Sequence, residues 1–102
     1  MKKFANLIMY SDTKPFEVVR VISDKTIEIR EMKATELPWK KDIQVGGFGH
    51  YCSNQRDQKW SIESDPNNPV LRARLRKDGN FHSGFGRHVL ADAPCKFYDI
   101  NF

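Results

Sequence analysis

Three arginines alternate along one short run, Val70-Leu71-Arg72-Ala73-Arg74-Leu75-Arg76. In a β-strand that spacing puts Arg72, Arg74 and Arg76 on one face and Leu71, Ala73 and Leu75 on the other. At ~3.3 Å per residue the three guanidiniums span roughly 13 Å. Their permanently charged, planar forks can clamp phosphate oxygens two at a time, and Arg56, Lys59 and Arg87 are further cations that the fold could bring close. The competing use of such a face is pairing across the sheet with Glu28, Glu31 or Glu63.

Aromatic rings interleave with these cations. Trp60 and Phe97 lie in strand-like runs and are expected in the core. Phe48 and Phe85 are each enclosed by glycines, as Gly47-Phe48-Gly49 and Gly84-Phe85-Gly86, which suits an exposed ring on which a base can stack. The stretch from Val45 to Trp60 shows neither helical nor strand periodicity and holds three of the six glycines, His50, Cys52 and the amide pair Asn54-Gln55. Glycine gives backbone room, amides give fork-shaped donors and acceptors, and loops of this content carry binding sites. A long surface turn is the plainer reading of the same stretch.

Catalytic and metal chemistry find less support. His50 and Cys52 are two apart, with His82, His88 and Cys95 elsewhere, and neither the C-x-x-C nor the H-x-x-x-H spacing is present. No metal site and no cofactor are expected. His50 with His82 or His88 could perform acid–base cleavage as in a small ribonuclease, a reading with no more support than a zinc site. No G-x-S-x-G nucleophile motif occurs, and Gly46-x-x-Gly49 lacks the Lys-Ser/Thr of a P-loop.

The elements that must position these residues read as strands. The chain has 102 residues, enough for one domain with one modest core. Its net charge of +4 favours anionic partners without any block of like charge. The apolar N-terminal stretch is broken by Asn6 and Ser11, so no export signal is expected and the thiols of Cys52 and Cys95 are expected reduced. Asn6–Tyr10 is a short apolar run closed by turn formers. Phe16–Ile22 is rich in β-branched residues, and Thr26–Met32 alternates with Ile27 and Ile29 inward, the two joined by a hairpin at Ser23–Lys25. Ala34–Leu37 is compatible with one helical turn before Pro38. Gln58–Ser64 resumes alternation, Asp65-Pro66-Asn67-Asn68-Pro69 is a strong turn, and Lys77-Asp78-Gly79-Asn80 is a hairpin-type turn leading to Phe81. His88–Leu90 and Lys96–Tyr98 are candidate terminal strands. The fold predicted over 1–102 is a single mainly β domain, a small curled antiparallel sheet or half-open barrel with at most one short helix.

Several separated stretches together resemble a family of small phage and prophage proteins, the anti-Thoeris signal sponges. They are Tyr10-Ser11-Asp12 followed by Pro15 and Val18-Val19, then Trp39-Lys40, Gly46-Gly47-Phe48, and His50-x-Cys52-x-Asn54. Gln58-Lys59-Trp60, Leu75-Arg76-Lys77-x-Gly79 and the ending Lys96-Phe97-Tyr98-Asp99-x-Asn101-Phe102 complete the set. The resemblance implies a protein that does no chemistry. It would bind the cyclic ADP-ribose isomer made by bacterial TIR enzymes and withhold it from the effector, in the cytoplasm of the infected host. It also implies a homodimer or higher oligomer with the nucleotide enclosed by loops at subunit boundaries, and cyclic trinucleotides as a second ligand class of some members. On that ligand, Phe48 or Phe85 would stack on adenine and Asn54 and Gln55 would read ribose or base edges. Arg74, Arg76 or Arg87 would hold phosphate, and His50 would lie in the same loop. The alternative is a small β-rich nucleic-acid-binding module.

Overall fold

The computed structural model describes residues 1–41 and 56–98 in full, and the backbone of 43–46, 49–52 and 55. Eleven strands and one short 3-10 turn account for the described secondary structure.

Six strands close on themselves. β1 (Phe4–Ile8), β3 (Phe16–Ser23), β4 (Thr26–Glu31), β9 (Val70–Leu75), β10 (Phe81–Ser83) and β11 (Gly86–Ala91) form a ring in the order β1-β3-β4-β9-β10-β11, and β11 pairs back onto β1. Every pairing is antiparallel. The curled sheet or half-open barrel expected from the sequence is thus a closed barrel, with β2 (Thr13–Lys14), just before β3 in the chain, pairing with Leu7 and Ile8 of β1. Closure removes the exposed edges that an open sheet of this size would carry. The seam between β1 and β3 is the narrowest ladder, with the pair Phe4↔Glu17 and one bond from the Val18 N–H to the Lys3 carbonyl.

Strand alternation fills the interior. Ala5, Leu7, Phe16, Ile27, Ile29, Ala73 and Phe81 are buried together, with Met9, Val18, Leu71 and Leu90 packed around them. Mixing small Ala5 and Ala73 with the two phenylalanines suits the narrow bore of a small barrel. Ile27 and Ile29 point inward as the period of two requires, and the Ser23–Lys25 hairpin forms, with Ser23 opposite Thr26. Leu75 shares the parity of Ala73 but lies at the end of β9 and is exposed.

Beyond Met32 the chain leaves the barrel as β5 (Lys33–Glu36), which pairs with β8 (Trp60–Glu63) in a separate ladder. The helical turn expected over Ala34–Leu37 does not form, because Ala34 pairs with Ile62 and Glu36 with Trp60 across that ladder. A second correction concerns the stretch from Val45 to Trp60. Among its described residues there is regular structure: β6 (Ile43–Gly46) pairs with β7 (Gly49–Cys52), and a 3-10 turn covers Gln55–Asp57. The return to the barrel runs through the predicted Asp65–Pro69 turn, where Asp65 Oδ1 accepts from the Asn67 N–H at 3.1 Å and the Asn68 amide donates to the Glu31 carbonyl at 2.9 Å.

The segment after β11 lies across the outside of the barrel. Asn6 sits on β1 between inward Ala5 and Leu7 and therefore points outward, yet it is buried. Its amide donates to the Ala93 carbonyl at 3.1 Å and accepts from the Cys95 N–H at 2.9 Å. Thr13 and Phe97 then exchange two backbone bonds, and the Gln58 side chain holds both the N–H and the carbonyl of Tyr98. Trp60 donates its indole N–H to the same Gln58, with the Lys96 ammonium 5.5 Å from its ring centre. Trp60 and Phe97, expected in the core, are instead half-buried under this strap outside the barrel.

Candidate functional site

The cations on the outer face of β9, β10 and β11 fall into two groups with different surroundings. At one end Glu28 stands between Arg20 and Arg72, its cross-strand neighbours, with each guanidinium 3.9 Å from one of its oxygens. The pairing reading therefore holds for Arg72. Next to it, Glu17 accepts from Arg30 at 2.8 Å and from the Ser64 hydroxyl at 2.6 Å. Burial disfavours the Glu17 carboxylate, but the Ser64 bond together with the Arg30 bond and charge outweighs it, and its pKa is lowered.

At the other end carboxylates are scarce. His82 on β10 is the direct cross-strand partner of Arg74 on β9 and of Arg87 on β11. Partners in an antiparallel ladder share a face, so Arg74, His82 and Arg87 form one row across three strands. The two arginines stand two strand spacings apart, about 10 Å. Arg76 continues the same face of β9, its N–H bonded to the Asn80 carbonyl at 3.0 Å. Arg74, Arg76 and Arg87 are exposed, and none makes an ion pair among the described residues.

The loop joining β9 to β10 shapes the rim. The Gly79 N–H returns to the Arg76 carbonyl at 3.0 Å and Gly79 takes φ +83, the left-handed position that three-residue hairpin loops assign to glycine. This turn aims Asp78 back at β10, where its Oδ2 lies 2.8 Å from His82 Nε2 and its Oδ1 accepts from the Asn80 N–H at 2.9 Å. The Asn80 bond, followed by that of His82, lowers the Asp78 pKa. Leu75, Arg76, Lys77, Asp78 and His82 line an open depression of about 510 Å³ beside the row.

The hairpin joining β10 to β11 carries Phe85 at its tip, 67% exposed. Of the residues the sequence nominated, Arg74, Arg76, Phe85 and Arg87 all lie on the β9–β10–β11 sector. His50 lies on β7 and Gln55 opens the 3-10 turn, elements outside the barrel ladders. Phe48 and Asn54 lie outside the described residues. Lys59 does not join the arginines. It lines a second depression of about 430 Å³ with Trp39, Lys40 and Asp57.

No protein-family model matches this chain, and no curated protein or solved structure matches it significantly. What the site can do follows from its own chemistry.

His82 and His88 lie on opposite faces, and the side chain of His50, the partner proposed for either, lies outside the described residues. His82 is on the outer face, whereas His88 is fully buried in the barrel interior, its register partner Leu7 buried beside it. Among the described residues, no group of three His, Cys, Asp or Glu gathers closely enough to hold a metal ion. Sequence reasoning missed the placing of Asp78 and His82 in the arginine site. The signal was available in the Lys77-Asp78-Gly79 turn: a three-residue loop there fixes Leu75 against Phe81 and hence Arg74 against His82.

Proposed function

We propose that this chain is a non-enzymatic nucleotide-binding protein of the signal-sponge kind. It takes up a cyclic ADP-ribose isomer and holds it without turning it over. In the cytoplasm of a phage-infected bacterium it thereby withholds the signal from Thoeris immunity. The observation that carries the reading is the row Arg74–His82–Arg87, a cationic surface with two guanidiniums unpaired among the described residues. Charge-assisted bonds from such forks suit the paired phosphates of the ligand. Arg76 adds a third fork at the rim and Phe85 offers a stacking face. Phe48, His50, Asn54 and Gln55 supply base and ribose contacts. The row lies on an open face, so a second copy of the chain closes over the nucleotide in a homodimer or higher oligomer. Cyclic trinucleotides are the second ligand class proposed.

Titration calorimetry with the 1''-2' and 1''-3' cyclic ADP-ribose isomers tests this directly, with chromatography of the ligand afterwards to check that it is recovered intact. Saturable heat with intact ligand is expected. Silence at micromolar protein overturns the reading, and conversion of the ligand overturns its non-enzymatic part.

A second reading has its own observation. The arginines sit on the outside of a small closed barrel, where a single nucleic-acid strand could track across them and stack on Phe85. That reading predicts affinity for oligonucleotides falling steeply with salt, one increment of slope per phosphate contacted. A compact ligand gives a shallow salt dependence.

A further inference from the structure

We propose that Ser83 and His88, which cannot reach a ligand on the outer face, are positioning residues that fix how Phe85 meets the planar base of a bound nucleotide. The proposal rests on the nucleotide reading above and adds how the stacking ring is held.

A continuous series of hydrogen bonds connects the barrel interior to the hairpin tip. His88 Nδ1 lies 3.0 Å from the Ala5 carbonyl oxygen. A carbonyl only accepts, so Nδ1 carries the proton and Nε2 is the acceptor. Nε2 lies 2.7 Å from Ser83 Oγ, which therefore donates to it. The same oxygen accepts from the Phe85 N–H at 3.2 Å. The Phe85 backbone is thus referred, through two side chains, to β1 on the far side of the seam with β11.

Packing supports the same geometry. Phe16 stacks edge-on against His88, with centroids 4.9 Å apart at 84°, and its ring centroid is 6.4 Å from that of Phe85 at 47°. The Phe85 ring thus lies near buried Phe16 yet stays 67% exposed, and Arg87 follows two residues later on the same hairpin. A ring set in one orientation loses less freedom on stacking than one on a mobile turn.

A double-mutant cycle separates this role from a purely structural one. Binding of the cyclic ADP-ribose isomers is measured for wild type, Ser83→Ala, Phe85→Ala and the double variant. Phe85→Ala weakens binding by about tenfold, the loss expected of one stacking contact. Ser83→Ala alone weakens binding severalfold, Ser83→Thr restores it, and Ser83→Ala has no effect once Phe85 is alanine. Equal losses from Ser83→Ala in both backgrounds, or full affinity in Ser83→Ala alone, overturn the proposal while leaving the nucleotide reading intact. No heat with wild type overturns both. An arm without ligand is amide exchange at Phe85, which accelerates in Ser83→Ala and in His88→Gln; unchanged exchange also overturns the proposal.

Discussion

Glu28 holds Arg72 at 3.9 Å, whereas Arg74, two residues further along the same face of β9, pairs with histidine rather than with a carboxylate. This difference divides three arginines that look equivalent in the sequence. Arg74→Ala and Arg87→Ala should each weaken nucleotide binding by about 1.5–3 kcal/mol, the range for hydrogen bonds to charged groups. Arg72→Ala should leave binding within about twofold, because exposed pairs contribute little and its partner Glu28 keeps Arg20. Calorimetry on the three variants checks the order. Equal losses would mean that the whole strand face binds.

The imidazole of His88 gives the barrel a pH dependence of its own. Burial lowers its pKa, and the bond to the Ala5 carbonyl opposes this only in part. The unfolded chain therefore takes up a proton at His88 that the folded chain resists. Stability should be constant above the ordinary imidazole value of ~6.5, fall as pH drops below it, and level off once the folded state also protonates. Urea unfolding at pH 7.5, 6.0 and 5.0 should show the decline, and His88→Gln should flatten it. Glu17 and Asp78 act lower, since their depressed pKa values contribute stability that is lost only as pH falls through the ordinary carboxylate range and below it.

Asn6 is the point at which the strap meets the barrel. Asn6→Ala removes both side-chain bonds and leaves the Ala93 carbonyl and the Cys95 N–H without their partner. Ala93 and Cys95 are themselves exposed, so water can take the place of the lost partner and each bond contributes about 0.5–1.5 kcal/mol. Denaturant unfolding should register a loss of that order. Limited proteolysis should cut between Asp92 and Phe97 in the variant before it cuts the β1–β11 ladder. A variant with wild-type resistance in that segment would show that the Thr13–Phe97 bridge holds the strap unaided.

What the sequence made legible was local. Ile27 and Ile29, the arginine alternation, the Ser23–Lys25 hairpin and the Asp65–Pro69 turn each depend on neighbours in the chain, and each is found in the structure. What it hid depended on pairing at a distance. Ala34–Leu37 is neutral between helix and strand until Ile62 and Trp60 arrive opposite it. Asn6 reads as a break in an apolar strand, and only the strap from the other end of the chain explains why it is buried. His82 and His88 are six residues apart with the same parity as far as Ser83, and the two-residue turn at Gly84-Phe85 sends them to opposite faces. Of the site, the arginines were visible as a pattern. The division between Arg72 and Arg74 was not, because it is set by which residue of β4 or β10 stands across the ladder.

That two-residue turn also sets the last prediction. Gly86 pairs with Ser83 at the base of the hairpin and takes φ +139, a conformation that side-chain-bearing residues rarely adopt. A methyl group there would meet Leu7 Cδ1 at 3.7 Å, an ordinary contact, so space is not the obstacle. The cost of Gly86→Ala is backbone strain, of order 1–3 kcal/mol. The strain can be relieved by shifting φ, which rotates the Ser83–Gly86 pair and lengthens the Ser83–His88 and Phe85–Ser83 bonds. Gly86→Ala should therefore lower the denaturation midpoint and speed amide exchange at Phe85 together. Gly84→Ala is the control, since Gly84 has no positive φ and nothing within 4 Å of an added Cβ. It should leave the unfolding free energy within about 0.5 kcal/mol of wild type, as surface substitutions usually do. Equal destabilisation by the two alanines would remove the special backbone role of Gly86.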